Sequence, residues 1–427
     1  MTNAVLTNLA KSRTNGHPVG ITSVCSAHPL VLRAALRQAR RLNKSLLIEA
    51  TCNQVNQFGG YTGQTPKAFV GFVADLAAQE DLSTDRIILG GDHLGPNPWR
   101  KECAESALAK AEEMVGAYVE AGFTKIHLDA SMGCAGEPVA LDDETTAERA
   151  ARLASVAEKI ARRRGATPPC YVIGTEVPIP GGADHALDDI TPTSADAARE
   201  TLEIHRRVFT KHNLQSAYER VIALVVQPGV EFGNDNVIPY APCNTSGLTN
   251  LLNEYPAFVY EAHSTDYQSE EALSQLVQNG FPILKVGPEL TFALRETIYA
   301  LDMIASEIVE GYGARPLAAA MEKIMNDEPM YWDSYYKGST RNKYIERHYS
   351  YSDRIRYYWG KGKAQEAWLN LENVLSRIAI PATLLSQYLP DLSLTPAQVS
   401  SPQAIVMASV ERVLKRYDEA CNARPRQ

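Results

Sequence analysis

Along the chain as far as Glu310, short apolar runs rich in β-branched residues alternate with longer stretches of helical periodicity. Each apolar run ends in polar or glycine residues before the next helical stretch begins. This alternation is typical of strand–helix units, which assemble into a parallel sheet. It predicts strands at Gly20–Cys25, Ser45–Thr51, Arg86–His93, Thr124–Ser131, Cys170–Val177, Val221–Gln227, Phe258–His263 and Ile283–Gly287.

The stretches that follow the strands have helical periodicity over about ten to twenty residues. They predict helices at His28–Leu42, Pro66–Ala78, Ala104–Ala121, Thr145–Arg164, Ser194–Lys211, Ser269–Asn279 and Glu289–Glu310. The segment after the sixth strand has a weaker helical pattern. There, Asn234–Asn236 and Pro239 favour a long loop, followed by a short helix at Leu248–Glu254.

Eight strand–helix units of this kind predict the α/β fold class and, within it, a (β/α)8 TIM barrel. A doubly wound sheet is the alternative. Such a sheet usually carries a glycine-rich first turn that binds a dinucleotide, whereas Ser23–His28 contains no glycine. The sequence therefore favours the barrel.

The alternation of strands and helices stops beyond Gly311, and the rest of the chain has a helical pattern. It predicts helices at Pro316–Met325, Gln365–Arg377 and Pro402–Ala420. No Pro-, Gly- or Ser-rich linker precedes this part. We therefore expect residues 1–310 to form the barrel and residues 311–427 to form a helical C-terminal extension packed on it.

Composition narrows the class of protein. The net charge is −8, and the single dense basic run, Arg162–Arg164, lies at a predicted helix end. These features do not indicate a surface that binds nucleic acid. Seven cysteines without a CxxC pair indicate reduced thiols. Met1–His17 lacks an apolar signal core, and no run approaches the ~20 apolar residues of a membrane span. We expect a cytoplasmic protein with no membrane partner.

Polar side chains of catalytic type follow the predicted strands, at the end where a barrel places its active site. They are Glu49, Asn53, Gln54 and Gln57 after the second strand, Asp92 and His93 after the third, Asp129 after the fourth, Glu176 after the fifth, Gln227 and Glu231 after the sixth, Glu261, His263 and Ser264 after the seventh, and Lys285 in the eighth. One strand-terminal acid alone could be a helix N-cap. Because buried charge is costly without a partner or a metal, the whole set predicts a pocket that binds substrate.

Within this set, His93 and His263 could bind a divalent metal together with Glu231, Gln227 or Glu176. Two imidazoles with carboxylate or amide oxygens suit zinc or manganese. Such an ion would polarise the carbonyl group of a sugar and stabilise an enediolate.

The remaining strand-end residues are candidates for proton transfer or covalent chemistry. Asp92 could act as acid or base on a hydroxyl group, with Asp129 nearby. Lys285 is either a Schiff-base nucleophile or a lysine paired with a carboxylate across the barrel. His127 shares a strand face with Asp129 but lies deeper, so we interpret it as a core histidine.

Arginines and aromatic residues are concentrated in the segment Arg347–Trp359 of the expected extension. Arg354 or Arg356 could reach a phosphate group of the substrate. The alternative is packing or an interface in a homo-oligomer, because Tyr, Trp and Arg are enriched at such interfaces. The loop Phe58–Gly63 is glycine-rich, but the chain contains no GxxxxGK[ST] motif, so we expect no nucleotide cofactor.

Long motifs at the same strand ends resemble one known family, the GatZ/KbaZ (AgaZ) proteins. The resemblance extends over nearly the whole chain. It is carried by VCSAHPLV from Val24, IEATCNQVNQFGGYTG from Ile48, ILGGDHLGPNPW from Ile88, KIHLDASM from Lys125, YVIGTEVPIPGG from Tyr171, VVQPGVEF from Val225, VYEAHSTDYQ from Val259, ILKVGPELTFALRE from Ile283 and YSDRIRYYW from Tyr351.

The resemblance implies a non-catalytic subunit of tagatose-1,6-bisphosphate aldolase in the catabolism of tagatose, galactitol and amino sugars. Its expected partners are the class II catalytic subunit of that aldolase and a sugar-phosphate ligand. Some members of the family carry the label tagatose-6-phosphate kinase, which the absence of a nucleotide motif does not favour.

The family is in turn distantly similar to class II aldolases. By motif order, Asp92 and His93 fall where those enzymes place a catalytic Asp and the first zinc His, and His263 falls on a later zinc His. Asp129 and Glu176 fall on their accessory acidic positions. The middle zinc His is missing from the segment Val226–Glu231, and Lys285 replaces a substrate-binding Asn.

Three functions are compatible with the sequence. The resemblance implies a subunit without turnover of its own. The retained acids, bases and metal-ligand types favour a metal-dependent epimerase or isomerase of a ketose or ketose phosphate. A tagatose-6-phosphate kinase is the third.

Overall fold

The computed structural model describes residues 2–174 and 190–423. The described strands are β1 (Ile21–Val24), β2 (Leu46–Thr51), β3 (Ile87–Leu94), β4 (Lys125–Leu128), β5 (Cys170–Ile173), β6 (Val221–Val225), β7 (Glu231–Phe232), β8 (Val237–Ile238), β9 (Val259–Ala262) and β10 (Ile283–Val286). All except the β7–β8 hairpin pair in parallel and close into one barrel, in the order β1-β10-β9-β6-β5-β4-β3-β2. The fold is the predicted (β/α)8 TIM barrel.

Helices surround this barrel. They are α1 (Thr2–Thr14), α2 (Pro29–Arg41), α3 (Pro66–Gln79), α4 (Ala104–Ala121), α5 (Asp143–Arg164), α6 (Ala195–Lys211), α7 (Gln215–Tyr218), α8 (Ser246–Leu251), α9 (Glu270–Gln278), α10 (Pro288–Ile308), α11 (Pro316–Asp327), α12 (Thr340–Tyr349), α13 (Gly362–Leu375), α14 (Ala382–Tyr388), α15 (Pro396–Val399) and α16 (Pro402–Cys421).

Local capping signals fix where several of the helices begin and end. The side chains of Thr65, Asp142 and Ser194 accept a backbone N–H in the first turns of α3, α5 and α6. Gly122 follows α4 with a φ of 103°, a left-handed conformation that glycine adopts without strain. These signals explain why the predicted helix bounds lie within a few residues of the observed ones.

The lower part of the barrel interior is apolar and is closed by α1. Leu6 and Leu9 of α1 are buried against inward-facing strand residues such as Leu47 and Ile88. The sequence pattern did not predict this helix, because the segment is polar on average and only its barrel-facing side is apolar. The upper layers of the interior are polar, and they form the site described below.

The chain after α10 is mainly helical in its described part, and several of its elements contact the barrel. Helix α16 packs against α2, α9 and α10, and the backbone N–H of Gly20 donates to the carbonyl of Cys421 over 2.8 Å. The short turn Arg354–Tyr358 packs against α10 and α11. The division of the chain at residue 310 stays a prediction. In the described part of the chain, no helix is long and apolar enough to cross a membrane.

We predict that Leu9→Ala destabilises the barrel by about 2–4 kcal/mol, because it removes a buried side chain from the contact between α1 and the strands. Urea unfolding measures this change in free energy. The matched control is Leu42→Ala, since Leu42 is 43% exposed and should change stability by less than about 0.5 kcal/mol. Equal stabilities for the two variants would show that α1 does not support the barrel.

Candidate active site

A cleft opens at the carboxyl ends of the barrel strands. Strand-end residues and the turn Arg354–Tyr358 line it together. The predicted site residues that line the cleft are Asn53, Gln54, Asp92, His93, His263, Ser264, Lys285 and Arg356. Lining residues that sequence reasoning did not single out include Tyr61, Phe232, Asp266 and Tyr357.

A buried ion-pair cluster lies beneath the cleft. The Lys125 Nζ is 2.8 Å from both carboxylate oxygens of Glu49 and 2.6 Å from Glu261 Oε2, and all three residues are fully buried. Burial favours a neutral lysine, but the charges of Glu261 and Glu49 outweigh it and raise the pKa of Lys125. Ser23 donates a further hydrogen bond to Glu49 over 2.7 Å.

This placement disagrees with the substrate-binding role predicted for Glu49. Its side chain is fully buried, and its oxygens are occupied by Lys125 and Ser23. The sequence pattern did not identify Lys125, because it lies at the start of its strand and not at the end facing the cleft.

Lys285 connects the buried cluster to the cleft. Its Nζ lies 2.7 Å from Asp92 Oδ1, 3.3 Å from Glu49 Oε2 and 3.6 Å from Glu261 Oε1. Burial would lower the pKa of Lys285, but these carboxylates raise it well above the ordinary value. The ammonium group therefore stays charged, and the geometry disfavours the Schiff-base alternative, which needs a neutral amine.

His93 and Asp129 form a dyad at the cleft wall. The Nδ1 of His93 lies 2.8 Å from Asp129 Oδ2, and Ser131 donates to the other oxygen of Asp129. Burial would lower the pKa of His93, but Asp92 and Asp129 raise it. Burial would raise the pKa of Asp129, but His93 and His127 outweigh it and lower the value to about 2. Asp129 fixes the ring orientation, and His93 Nε2, which lies 3.7 Å from Asp92 Oδ2, is the nitrogen that can transfer a proton.

Two backbone positions in the cleft are strained. His93 and Ser264 have φ angles of 51° and 53°, in the left-handed region that residues other than glycine rarely adopt. Such strain is maintained only where the surrounding structure fixes the residue, and it is concentrated at functional sites.

Four buried side chains form a group that could hold a metal ion. The ligand atoms of Asp92, His127, Glu261 and His263 all lie within 4.8 Å of one another. The Nδ1 of His127 is 2.9 Å from Asp92 Oδ1. Its Nε2 is buried without a hydrogen-bond partner among the described residues. Burial lowers the pKa of His263 to about 3, so its imidazole is neutral, as a ligand must be.

The charges of the cluster also fit a divalent cation. Four buried carboxylates, those of Glu49, Asp92, Asp129 and Glu261, face only two ammonium groups, those of Lys125 and Lys285. Apart from the imidazoles, these groups carry an excess of two negative charges, and protonation of His93 or a bound cation would offset this cost of burial. Two imidazoles and two carboxylates are a common donor set for such an ion.

This group differs from the metal ligands predicted from the sequence. Of the four predicted ligands that the structure describes, it contains only His263. Asp92, His127 and Glu261 are its other members, and His93, Glu231 and Gln227 are not part of it. His93 is held by Asp129 instead. His127, which we interpreted as a core histidine, belongs to the group because its ring reaches Asp92 from the next strand.

Gln227 and Glu231 are occupied by backbone groups. Gln227 Oε1 accepts hydrogen bonds from the backbone of Gly229 and Val230. Glu231 accepts one from Phe232, inside the β7–β8 hairpin. Both side chains therefore accept hydrogen bonds from the backbone of their own segment.

Two other predicted residues, Gln57 and Arg354, do not line the cleft. Gln57 donates to the carbonyl of Lys110, on α4. The guanidinium of Arg354 stacks on the ring of Tyr335 and bonds a backbone carbonyl. Glu176 lies outside the described residues.

The glycine-rich loop after β2 places Tyr61 in the cleft. Gly60 has a φ of 57°, and a Cβ there would lie 2.4 Å from the backbone oxygen of Gln54. The ring of Tyr61 packs edge-on against Tyr357, with centroids 4.7 Å apart. The glycines thus allow a tight loop that contacts the C-terminal extension.

Fold and site together define a class: a (β/α)8-barrel protein with a buried acid–base cluster, able to hold a metal, at the carboxyl ends of its strands. The family model described as D-tagatose-1,6-bisphosphate aldolase subunit GatZ/KbaZ-like matches residues 6–422. The chain belongs to this GatZ/KbaZ-like family.

Relatives with known names refine this assignment. A D-tagatose 6-phosphate 4-epimerase from Agrobacterium fabrum (strain C58) is 58% identical over 417 residues, which cover 98% of each chain. A solved structure from Sinorhizobium meliloti 1021, described as a probable tagatose 6 phosphate kinase, is 49% identical. It has a TM-score of 0.86 and covers 94% of this chain and 100% of its own. The fructuronate-tagaturonate epimerase UxaE from Cohnella laeviribosi shares the fold alone, at 12% identity and a TM-score of 0.52, over 93% of this chain and 81% of its own.

The expectation of a non-catalytic aldolase subunit is wrong. A relative that is 58% identical over nearly the full length of both chains is named as an epimerase. The epimerase alternative, derived from the acids and bases at the strand ends, agrees better with this finding.

We predict that the purified protein holds about one divalent ion per chain, in keeping with the four-residue donor set found in the described part of the chain. Mass spectrometry of the metal content should show the ion lost in His127→Ala and His263→Ala. His212→Ala is the control, because His212 is exposed at the end of α6 and pairs with Glu148. A variant without His127 or His263 that kept its metal would place the ion elsewhere.

We also predict that borohydride reduction in the presence of a ketose phosphate leaves the protein mass unchanged, because the charged Lys285 forms no imine. Intact-protein mass spectrometry checks this. A mass increase that disappears in Lys285→Met would contradict it.

Proposed function

We propose that this protein is an epimerase that inverts carbon 4 of D-tagatose 6-phosphate and forms fructose 6-phosphate. The observation that carries the proposal is the His93–Asp129 dyad, whose His93 lines the same cleft as Asp92 and His263 of the metal-competent group. The 4-epimerase name of the Agrobacterium relative supports the substrate. The kinase description of the Sinorhizobium structure is not extended to this chain, which contains no GxxxxGK[ST] loop.

The position of the carbonyl group in the substrate limits the reactions that can invert carbon 4. The hydrogen on carbon 4 is not adjacent to the carbonyl at carbon 2, so its direct removal would leave a carbanion without resonance stabilisation. The hydroxyl on carbon 4 is, however, β to that carbonyl. Reversible cleavage of the bond between carbons 3 and 4 therefore gives a stabilised enediolate and an aldehyde, and rebonding to the other aldehyde face inverts carbon 4.

The dyad supplies the proton transfers that this route needs. In its neutral form, His93 takes the proton of the carbon 4 hydroxyl at Nε2 as the bond to carbon 3 breaks, and the electron pair moves onto carbon 3 and the carbonyl oxygen. After the aldehyde has rotated, the bond forms again and His93 returns the proton to the carbon 4 oxygen. Asp129 keeps the imidazole oriented and stabilises its charged form.

The other cleft residues stabilise the negative charge that develops on the ketose oxygen. The Lys285 ammonium lies at the cleft and stays charged. A divalent cation held by Asp92, His127, Glu261 and His263 would polarise the carbonyl. Zinc or manganese is the ion that we propose for this set of nitrogen and oxygen donors.

We expect His93→Gln and Asp129→Asn to lower kcat by about 10²- to 10⁴-fold, since the first removes the group that transfers the proton and the second removes the carboxylate that orients it and stabilises its charge. The conversion of tagatose 6-phosphate to fructose 6-phosphate is measured directly. Gln57→Ala is the control, because Gln57 bonds Lys110 away from the cleft. Thermal unfolding confirms that each variant folds, and a kcat within threefold of the wild type for folded His93→Gln would contradict the assignment.

A further inference from the structure

We propose that Arg356 binds the phosphoryl group of the substrate, so that the C-terminal extension and not the barrel recognises phosphorylated sugars. The proposal deepens the function proposed above and rests on it for the identity of the sugar. It depends on the charges in the cleft, on the hydrogen bonds of α10 and on the anchoring of the turn Arg354–Tyr358.

Arg356 is the cation of the cleft that is available to an anion. It lines the cleft and is partly exposed there, and it forms no ion pair within the described ranges 2–174 and 190–423. Lys285, the other lysine or arginine of the lining, is surrounded by three carboxylates. The sequence of residues 175–189 contains neither lysine nor arginine.

The guanidinium of Arg356 has one edge in use and one available. Nη1 donates to the carbonyls of Ser352 and Asp353, and Nη2 donates to the hydroxyl of Tyr357 over 2.9 Å. Among the described residues, Nε–H donates no hydrogen bond, and Nη2 donates only the one to Tyr357. Two parallel N–H groups of this kind fit the bidentate binding of a phosphate.

The usual phosphate site of a barrel is blocked here. Many barrels bind phosphate through backbone N–H groups at a helix that follows the last strands. In this chain the backbone N–H groups of Gly287 and Glu289, at the start of α10, donate to Asp266 Oδ1 over 3.0 and 2.8 Å. The carboxylate of Asp266 already occupies this position. A phosphate group must therefore be bound by other groups of the cleft.

The turn that carries Arg356 is held rigidly against the barrel. Asp353 accepts hydrogen bonds from Arg295 and Thr291 of α10, over 3.1 and 2.7 Å, and its carboxylate is buried. Tyr357 stacks on Tyr331 with centroids 5.0 Å apart. Arg356 is therefore fixed at the cleft before the substrate arrives, which lowers the entropic cost of binding.

Calorimetric titration with inorganic phosphate tests the proposal without turnover. We expect the wild-type protein to bind phosphate and Arg356→Gln to bind it about 10- to 100-fold more weakly, with Arg356→Lys between them. Arg100→Gln is the matched control, because it removes one exposed positive charge outside the cleft and should bind like the wild type. Thermal unfolding confirms that the variants fold.

Kinetics with tagatose 6-phosphate separate this proposal from the proposed function. We expect Arg356→Gln to raise KM by a similar factor while kcat changes less than tenfold. Wild-type protein that binds no phosphate, or Arg356→Gln that binds it as the wild type does, would overturn the role of Arg356. Phosphate binding that depends on Arg356 in a protein that does not turn over tagatose 6-phosphate would refute only the epimerase.

Discussion

The burial of charge inside the barrel is the constraint on which the site depends. Lys125 lies between Glu49 and Glu261 with no access to water, and Lys285 links both glutamates to Asp92. Removing one partner from such a buried pair costs about 3–5 kcal/mol, because the remaining charge is left without compensation. The cluster thus tolerates little change, and it holds Asp92 and Glu261 ionised beneath the cleft. The need to pair each buried charge explains why the interior changes from apolar residues near α1 to ion pairs at the strand ends.

Much of the fold could be predicted from the sequence, because buried parallel strands are apolar runs that end in polar residues. The strand Val221–Val225 and the helix Ala104–Ala121 lie where that pattern placed them. Helix α1 could not be predicted, since its apolar side has meaning only against the barrel floor. The β7–β8 hairpin lies within the segment predicted as a loop. The sequence does not predict it, because two-residue strands are too short to give a periodic pattern.

The site could be predicted only in part. Asp92, His93, His263 and Lys285 were found because strand-end polar residues meet at one face of a barrel. Their roles depend on neighbours in space, which a linear pattern does not contain. His93 pairs with Asp129, and His127 instead of His93 belongs to the metal-competent group. Arg356 and Tyr357 enter the cleft from a segment far along the chain, beyond the last barrel strand, and complete the site there.

Proton nuclear magnetic resonance of the wild-type protein with tagatose 6-phosphate in deuterium oxide tests the central claim most directly. Cleavage between carbons 3 and 4 keeps the hydrogen of carbon 4 on the aldehyde throughout. We therefore predict fructose 6-phosphate that retains protium at carbon 4. Deuterium at carbon 4 of the product would contradict the cleavage route, and the absence of fructose 6-phosphate would contradict the epimerase itself.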